Sequence, residues 1–166
     1  MAITQALLPA LRRARGRIVL VSSIGGRVAV PFLAPYNASK HALEAIGDAL
    51  RVELHSSNIR VSLVEPGSVK TPIWAKARAD AERVQIPSEL EPEYGRVPAA
   101  MARVIADTER RGVPPERVAA TIERALNSRR PRSRYLVGAD AYGTVIARAL
   151  LPTAAFDRLV RRTMGV

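Results

Sequence analysis

Cysteine is absent from the 166-residue sequence, which excludes a disulfide framework, thiol catalysis and every thiolate-ligated zinc or iron–sulfur centre. Histidine is scarce: His41 and His55 are the only two. They leave little for a metal site, and both read as surface or packing residues. No apolar run approaches the ~18 residues needed to cross a bilayer, because arginines interrupt each candidate stretch. A helical membrane span is therefore excluded. Lysine is rare as well: Lys40, Lys70 and Lys76 leave 23 of the 26 basic residues as arginine. Against 15 acids these give a net charge of +11, an excess that raises nucleic acid or anionic lipid as a partner. The arginines are scattered, however. The densest cluster, Arg129, Arg130, Arg132 and Arg134, has only Tyr135 beside it as a stacking aromatic, so nucleic acid is not the expected partner. Residues 1–17 hold no acid and four arginines, as a transit peptide can. The charge follows the apolar stretch 6–11, and the reading preferred is the end of an amphipathic helix.

What the chain does have is length and apolar content. At 48% hydrophobic it can build one domain with a real core. Residues 17–23 (RIVLVSS) form a short β-branched run closed by Gly25-Gly26, which reads as a strand buried on both faces. From 36 to 54 the apolar residues fall on two adjacent helical stripes, Ala38/Ala42/Ala45/Ala49 and Leu43/Ile46/Leu50/Leu54, which predict a helix with a wide buried face. Pro35 suits its first turn. Residues 59–64 predict a second strand stopped by Pro66-Gly67. Strand, helix, strand in this order is a parallel βαβ unit. Residues 71–81 read as a short helix or lid, 85–98 as loop-rich, 114–126 as a helix and 134–138 as a third strand. The stretch 142–164 reads as one or two amphipathic helices broken at Pro152. The fold class expected is α/β.

One constellation carries chemistry. Ser23, Tyr36 and Lys40 stand at the spacing S-x12-Y-x3-K, with Tyr36 and Lys40 one helical turn apart on a shared face. A phenol is a poor acid–base group at neutral pH, but a cation held one turn away favours its phenolate form. A serine hydroxyl at a strand end can hydrogen-bond a substrate oxygen and position it for proton exchange with that phenol. The chemistry suggested is interconversion of an alcohol and a carbonyl. Ser22 is the rival of Ser23. Neighbours on a strand face opposite sides, so only one can serve, and the spacing favours Ser23. Glu44, Asp48 and Glu53 read as solvated or interfacial charges on the polar side of the helix. For Trp74, the only tryptophan, core packing and substrate contact both stand open.

With the strand 18–25 (IVLVSSIG), the helix 42–54 (ALEAIGDALRVEL) and the turn 66–71 (PGSVKT) added to Y-x3-K, the chain resembles the short-chain dehydrogenase/reductase family over nearly all its length. The resemblance implies a Rossmann-like, partial doubly wound parallel sheet of about three strands flanked by helices. Residues 1–141 would form it, with 71–113 as the lid and substrate-loop region and 142–166 as a helical tail. By position, Tyr36 would be the general acid/base, Lys40 would assist it and hold the nicotinamide ribose, and Ser23 would orient the substrate oxygen. Pro66, Gly67, Val69 and Thr71 would contact the nicotinamide end of NAD or NADP. The substrate implied is a small-molecule alcohol or ketone, lipophilic to judge from the lid and tail. A homo-oligomer built largely through the helix carrying Tyr36 and a cytoplasmic location are also expected.

The family's opening strand, glycine-rich turn and helix have no counterpart here, since Gly25-Gly26 follows Ser23. The chain thus resembles the C-terminal portion of such an enzyme, short of roughly 90–110 residues. Its dinucleotide site is expected to be incomplete, and the chain alone inactive and prone to associate. The alternative reading is a non-catalytic interaction protein, pairing with a complete homologue or an acidic partner.

Overall fold

The computed structural model describes residues 1–165. Aliphatic runs at Arg17–Val21 (β1), Arg60–Pro66 (β2) and Arg134–Val137 (β3) pair into one parallel sheet in the order β1-β2-β3. The register sets Ile18 opposite Val61 and Leu20 opposite Leu63. With side chains alternating, these four and Glu65 share one face; Val19, Val64, Tyr135 and Val137 share the other. Central β2 is buried at every residue after Arg60. Strand β1 departs from the expectation of burial on both faces. It is half-buried, and Val21 at its end is 45% exposed, because only β2 flanks it among the described residues.

Two helices cover the Leu63 face. Leu8 and Leu11 of Ala2–Ala14 (α1) and Ile46, Leu50 and Leu54 of or just past Ala34–Glu53 (α2) pack with Ile18, Leu20, Ile59 and Val61. Helix α2 opens with Pro35 in its first turn. It approaches the sheet closely at Gly47, where an added Cβ would lie 2.8 Å from Leu63 Cδ1. The alanine stripe Ala38/Ala42/Ala45/Ala49 proves exposed, so the wide buried face expected of α2 is narrower. The helix buries Asn37, Glu44, Gly47 and Leu50 instead, because close packing at Gly47 orients it. Val118, Ile122 and Ala125 of Pro115–Asn127 (which becomes α6 in chain order) pack on the opposite face against Val64, Tyr135 and Val137.

Beyond the carboxyl end of β2 lie Ile73–Glu82 (α3), a 3₁₀ turn at Ser88–Leu90, Glu91–Tyr94 (α4) and Val97–Arg111 (α5). The stretch 85–98 is thus more helical than its prolines suggested. Pro92 and Pro98 sit in the first turns of α4 and α5, where a missing N–H costs nothing. Ala139–Leu150 (α7) and Thr153–Met164 (α8) follow β3 and part at Leu151 and Pro152; Val166, the last residue of the expected tail, lies outside the described residues. No described helix is long and apolar enough to cross a membrane.

Leu63 is 1% exposed and touches both α2 and its strand neighbours. Leu63→Ala should cost about 2–5 kcal/mol in chemical denaturation, whereas Val52→Ala, at a position 71% exposed, should stay within about 0.5 kcal/mol.

Candidate active site

The predicted residues gather at the carboxyl ends of β1 and β2, the end where open parallel sheets bind ligands. Ser23 follows β1 in extended backbone and caps a 3₁₀ turn, Ile24–Gly26, its Oγ accepting the Gly25 N–H at 3.1 Å. The same hydroxyl lies 3.5 Å from the Pro66 carbonyl, a contact at the limit of a hydrogen bond that leaves its proton free to turn to another acceptor. Gly25 rests against the Tyr36 ring, where an added Cβ would be 3.0 Å from Cε1. Tyr36 is 46% exposed. Lys40 stands one turn on, with Nζ 5.8 Å from the Tyr36 ring centroid and donating to the Val21 carbonyl at 3.2 Å. Ser22 differs: its Oγ is buried with no hydrogen-bond partner, against the position a Cβ on Gly26 would take.

The turn after β2 is braced from three sides. The Gly67 N–H donates to the Val137 carbonyl at 2.9 Å. The Ser68 N–H donates to the Asp140 carboxylate at 2.6 Å. Gly67 is required by that close approach, since a Cβ would come within 2.5 Å of both Asp140 oxygens. Val69 bridges to Val113, and its carbonyl accepts the Trp74 indole N–H at 2.7 Å. Of the two roles left open for Trp74, the structure shows a packing one, tying α3 to this turn. Thr71 is half-buried just before α3. Asp140 escaped the sequence reading. Its signal is an acid in a helix's first turn two residues after the strand-ending Gly138, a placement suited to binding backbone N–H groups.

Under the site lies a charged cluster that sequence reasoning had placed in solvent. Glu44 is buried, and Glu65 is fully buried. Arg134 at the start of β3 reaches Glu65 (2.9 Å) and Glu44 (3.1 Å) through Nε and Asp48 (2.7 Å) through Nη2. Arg27 meets Glu65 at 3.4 Å, and Asp48 also pairs with Arg51. The correction has a physical reason: the partners of Glu44 and Asp48 come from a strand far along the chain, which helical periodicity cannot show. Hydrogen bonds from Arg134 and Arg51 hold the Asp48 carboxyl below its ordinary range. Glu65 is pushed up to about 7, by burial first and by the Glu44 carboxylate second, against the pull of Arg27 and Arg134. Glu44 Oε1 has no hydrogen-bond partner among the described residues.

An apolar cavity of about 570 Å³ lies between the loop before α2 and the segment 81–101, lined by Phe32, Ile86, Leu90, Tyr94, Val97 and Met101 among others, with Gln85 and Glu93 the polar members. Phe32, four residues before Tyr36, has φ 67°, a strained conformation for a bulky residue. Tyr135, the one aromatic near the arginine cluster, is 8% exposed, and its hydroxyl accepts the Arg132 N–H. It offers no stacking face to a nucleic acid. No group of three or more metal-ligating side chains occurs among the described residues.

Known proteins resemble this chain in sequence and in fold. The family model of the short chain dehydrogenases matches residues 1–82. An NADPH-dependent 3-dehydrocapnine reductase from Ornithobacterium rhinotracheale is 35% identical over 155 residues, covering 92% of this chain and 53% of that protein. The bovine (Bos taurus) 17-beta-hydroxysteroid dehydrogenase type 6 is 35% identical over 170 residues, covering 97% of this chain and 52% of its own length. A solved short chain dehydrogenase from Burkholderia cenocepacia, in complex with NADP, superposes with a TM-score of 0.65 at 24% identity, covering 94% of this chain and 52% of that one. The chain belongs to the short-chain dehydrogenase family. It spans about half the length of the curated relatives it matches.

The raised Glu65 carboxyl makes stability depend on pH. Between its ordinary 4.5 and about 7 the folded chain holds a proton that the unfolded chain has released. Stability from this group is therefore full below that window, falls as pH rises through it, and is level above it. Melting temperatures of Glu65→Gln and wild type should diverge in the variant's favour across the window; a pH-independent difference contradicts the assignment.

Proposed function

We propose that the chain carries the reacting end of a nicotinamide-dependent oxidoreductase that interconverts an alcohol and a carbonyl, with Ser23, Tyr36 and Lys40 as its catalytic set. The observation that carries this is the exposed Tyr36 phenol, with the Lys40 ammonium over its ring and the Ser23 turn against its edge. The relatives' names, a reductase and a hydroxysteroid dehydrogenase, support the same reaction class.

NAD or NADP is the cofactor this reading requires, and the residues at hand suit its nicotinamide end. Val21 exposes an apolar side chain at the strand end beside Lys40. Lys40 spends one N–H on the Val21 carbonyl and keeps two donors. Val69, its carbonyl taken by Trp74, offers its N–H, which has no partner among the described residues. Tyr36, Lys40, Pro66, Gly67, Val69 and Thr71 would hold that end. When bound, the reduced nicotinamide supplies hydride to the carbonyl carbon. Tyr36 delivers its phenolic proton to the oxygen that becomes the hydroxyl, and Ser23 donates a hydrogen bond to that oxygen. Lys40 stabilises the phenolate left behind. In the oxidative direction each proton step reverses.

The apolar cavity, which Phe32 just ahead of α2 helps to line, supports a lipophilic alcohol or ketone as substrate, with Glu93 disfavouring anionic tails. Self-association is expected through α2, whose alanine stripe and Val52 are exposed. The second reading, a non-catalytic interaction protein, draws on α7, where Tyr142, Ile146 and Leu150 form an exposed apolar stripe.

The test follows reduced-nicotinamide absorbance with a series of straight-chain secondary alcohols and ketones. In an extended chain that supplies the rest of the dinucleotide site, Tyr36→Phe should lower turnover by about 10²–10⁴-fold while NADH and NADPH still bind in fluorescence titration, weakened at most by the loss of one hydroxyl contact; undiminished turnover refutes the acid–base role. Val97→Asp should abolish the preference for longer chains. In sedimentation, a stable hetero-complex lacking NADH and NADPH binding favours the interaction reading, and a homo-oligomer that binds them favours the enzyme.

A further inference from the structure

We propose that Arg134 and Glu65 are positioning residues, whose ion pairs lock helix α2 and the turn bearing Ser23 into one relative placement and so set the geometry of Ser23, Tyr36 and Lys40. The proposal rests on the reading of those three as the reacting set.

Tyr36, Lys40, Glu44 and Asp48 follow one another at four-residue steps and so line one ridge of α2. The first two turns of the ridge carry the chemistry, and the next two carry carboxylates. One guanidinium grips both carboxylates, with Nε 3.1 Å from Glu44 Oε2 and Nη2 2.7 Å from Asp48 Oδ2. The planar fork of arginine fixes direction as well as distance. Helix α2 can neither rotate about its axis nor slide by a turn, about 5.4 Å, without breaking one of these bonds. The grip is anchored to the sheet, because the same Nε lies 2.9 Å from Glu65 Oε1 on β2.

Glu65 carries the constraint across to the serine. Its Oε1 also meets Arg27 at 3.4 Å, and Arg27 is the residue that closes the turn Ile24–Gly26 after Ser23. Backbone contact reinforces the link. A Cβ on Gly26 would lie 2.9 Å from both the Lys40 carbonyl oxygen and Glu44 Cγ, so a shift of α2 is felt at once by the Ser23 turn. The remaining charged groups facing the cluster are Arg51, held on Asp48, and Lys40, turned to the Val21 carbonyl. His41 is exposed and bound to the Asn37 carbonyl oxygen. Stability alone is a poor reason for such a cluster, since buried ion pairs are often no better than apolar side chains of the same volume. Fixed register is what it provides here.

The test reads Tyr36 directly, without cofactor or substrate. The chain has four tyrosines, Tyr36, Tyr94, Tyr135 and Tyr142, so uniform 3-fluorotyrosine gives a short fluorine NMR spectrum assignable by single Tyr→Phe changes. Read at about pH 8.5, where Glu65 is ionised, Glu65→Gln and Arg134→Gln should each displace the Tyr36 resonance and leave those of Tyr94 and Tyr142 in place. Arg134→Lys should not restore it, because a point charge cannot span two carboxylates. A Tyr36 resonance unmoved in both glutamine variants overturns the proposal, as does movement of all four resonances together, which marks general loosening. Should Arg134→Gln fail to fold, Glu65→Gln, nearly unchanged in shape, decides alone. In the turnover assay both variants should lower kcat by about 10²-fold with the cofactor KM kept. An unmoved resonance sinks the positioning role and leaves the oxidoreductase reading intact. A fully active Tyr36→Phe removes the reading beneath it.

Discussion

The guanidinium of Arg134 is the constraint on which the rest of the site depends. It enters at the first residue of β3, passes beside β2 and meets two carboxylates of α2, so three elements distant in sequence share one charged contact. Burying such a group is costly, and only complete pairing offsets the cost. Here the pairing is almost complete. Arg134 hydrogen-bonds Glu44 and Asp48 and lies within ion-pair distance of Glu65, Arg27 contributes a second cation, and the proton favoured on Glu65 relieves the repulsion between Glu65 and Glu44. The resulting charge balance is met at one arrangement of helix and sheet, which a purely apolar seam between the same elements would not single out.

Close backbone approach does the complementary work. Gly47 lets α2 settle onto Leu63, and Gly67 lets the Asp140 carboxylate reach the turn after β2. A side chain at either position would force its element or the facing side chain to shift. The effect at Gly47 would propagate along α2 to Tyr36. The effect at Gly67 would move Val69 and, through its carbonyl, Trp74 and the start of α3. Steric closeness thus sets the depth of the elements, while ion pairing sets their rotation.

The α/β class, the three parallel strands, helix α2 and the clustering of Ser23, Tyr36 and Lys40 at one sheet end were legible because each is written in local pattern. β-branched runs, helical spacing and a motif with fixed intervals all act over fewer than twenty residues. What could not be read was set by contacts between distant residues. Glu44 looked solvated since its partner, Arg134, stands 90 positions away. The alanine stripe looked buried since nothing local reports that Gly47, on another side of the helix, makes the contact with the sheet. Helix α5 was hidden among prolines that occupy first turns rather than breaking the segment. Asp140 carries no motif, and only the fold brings it to Ser68.

These two kinds of contact divide the molecule by what it can change. The side chains proposed to react stand on elements joined by partly buried ion pairs and glycine contacts, where a substitution alters geometry and chemistry together. Apart from Phe32, the cavity wall is built from the segment α3 to α5, whose ion pair between Arg78 and Glu109 lies at the surface and whose cavity-facing residues are mostly apolar, with Gln85 and Glu93 the exceptions. Exposed pairs contribute little to stability, and apolar residues of similar volume exchange at small cost. The wall can therefore be re-cut to fit a different hydrocarbon skeleton without disturbing Tyr36 or Lys40. On the proposed reading, substrate preference would rest with residues 84–101, which vary at low energetic cost, and the reaction with the ridge of α2, which does not.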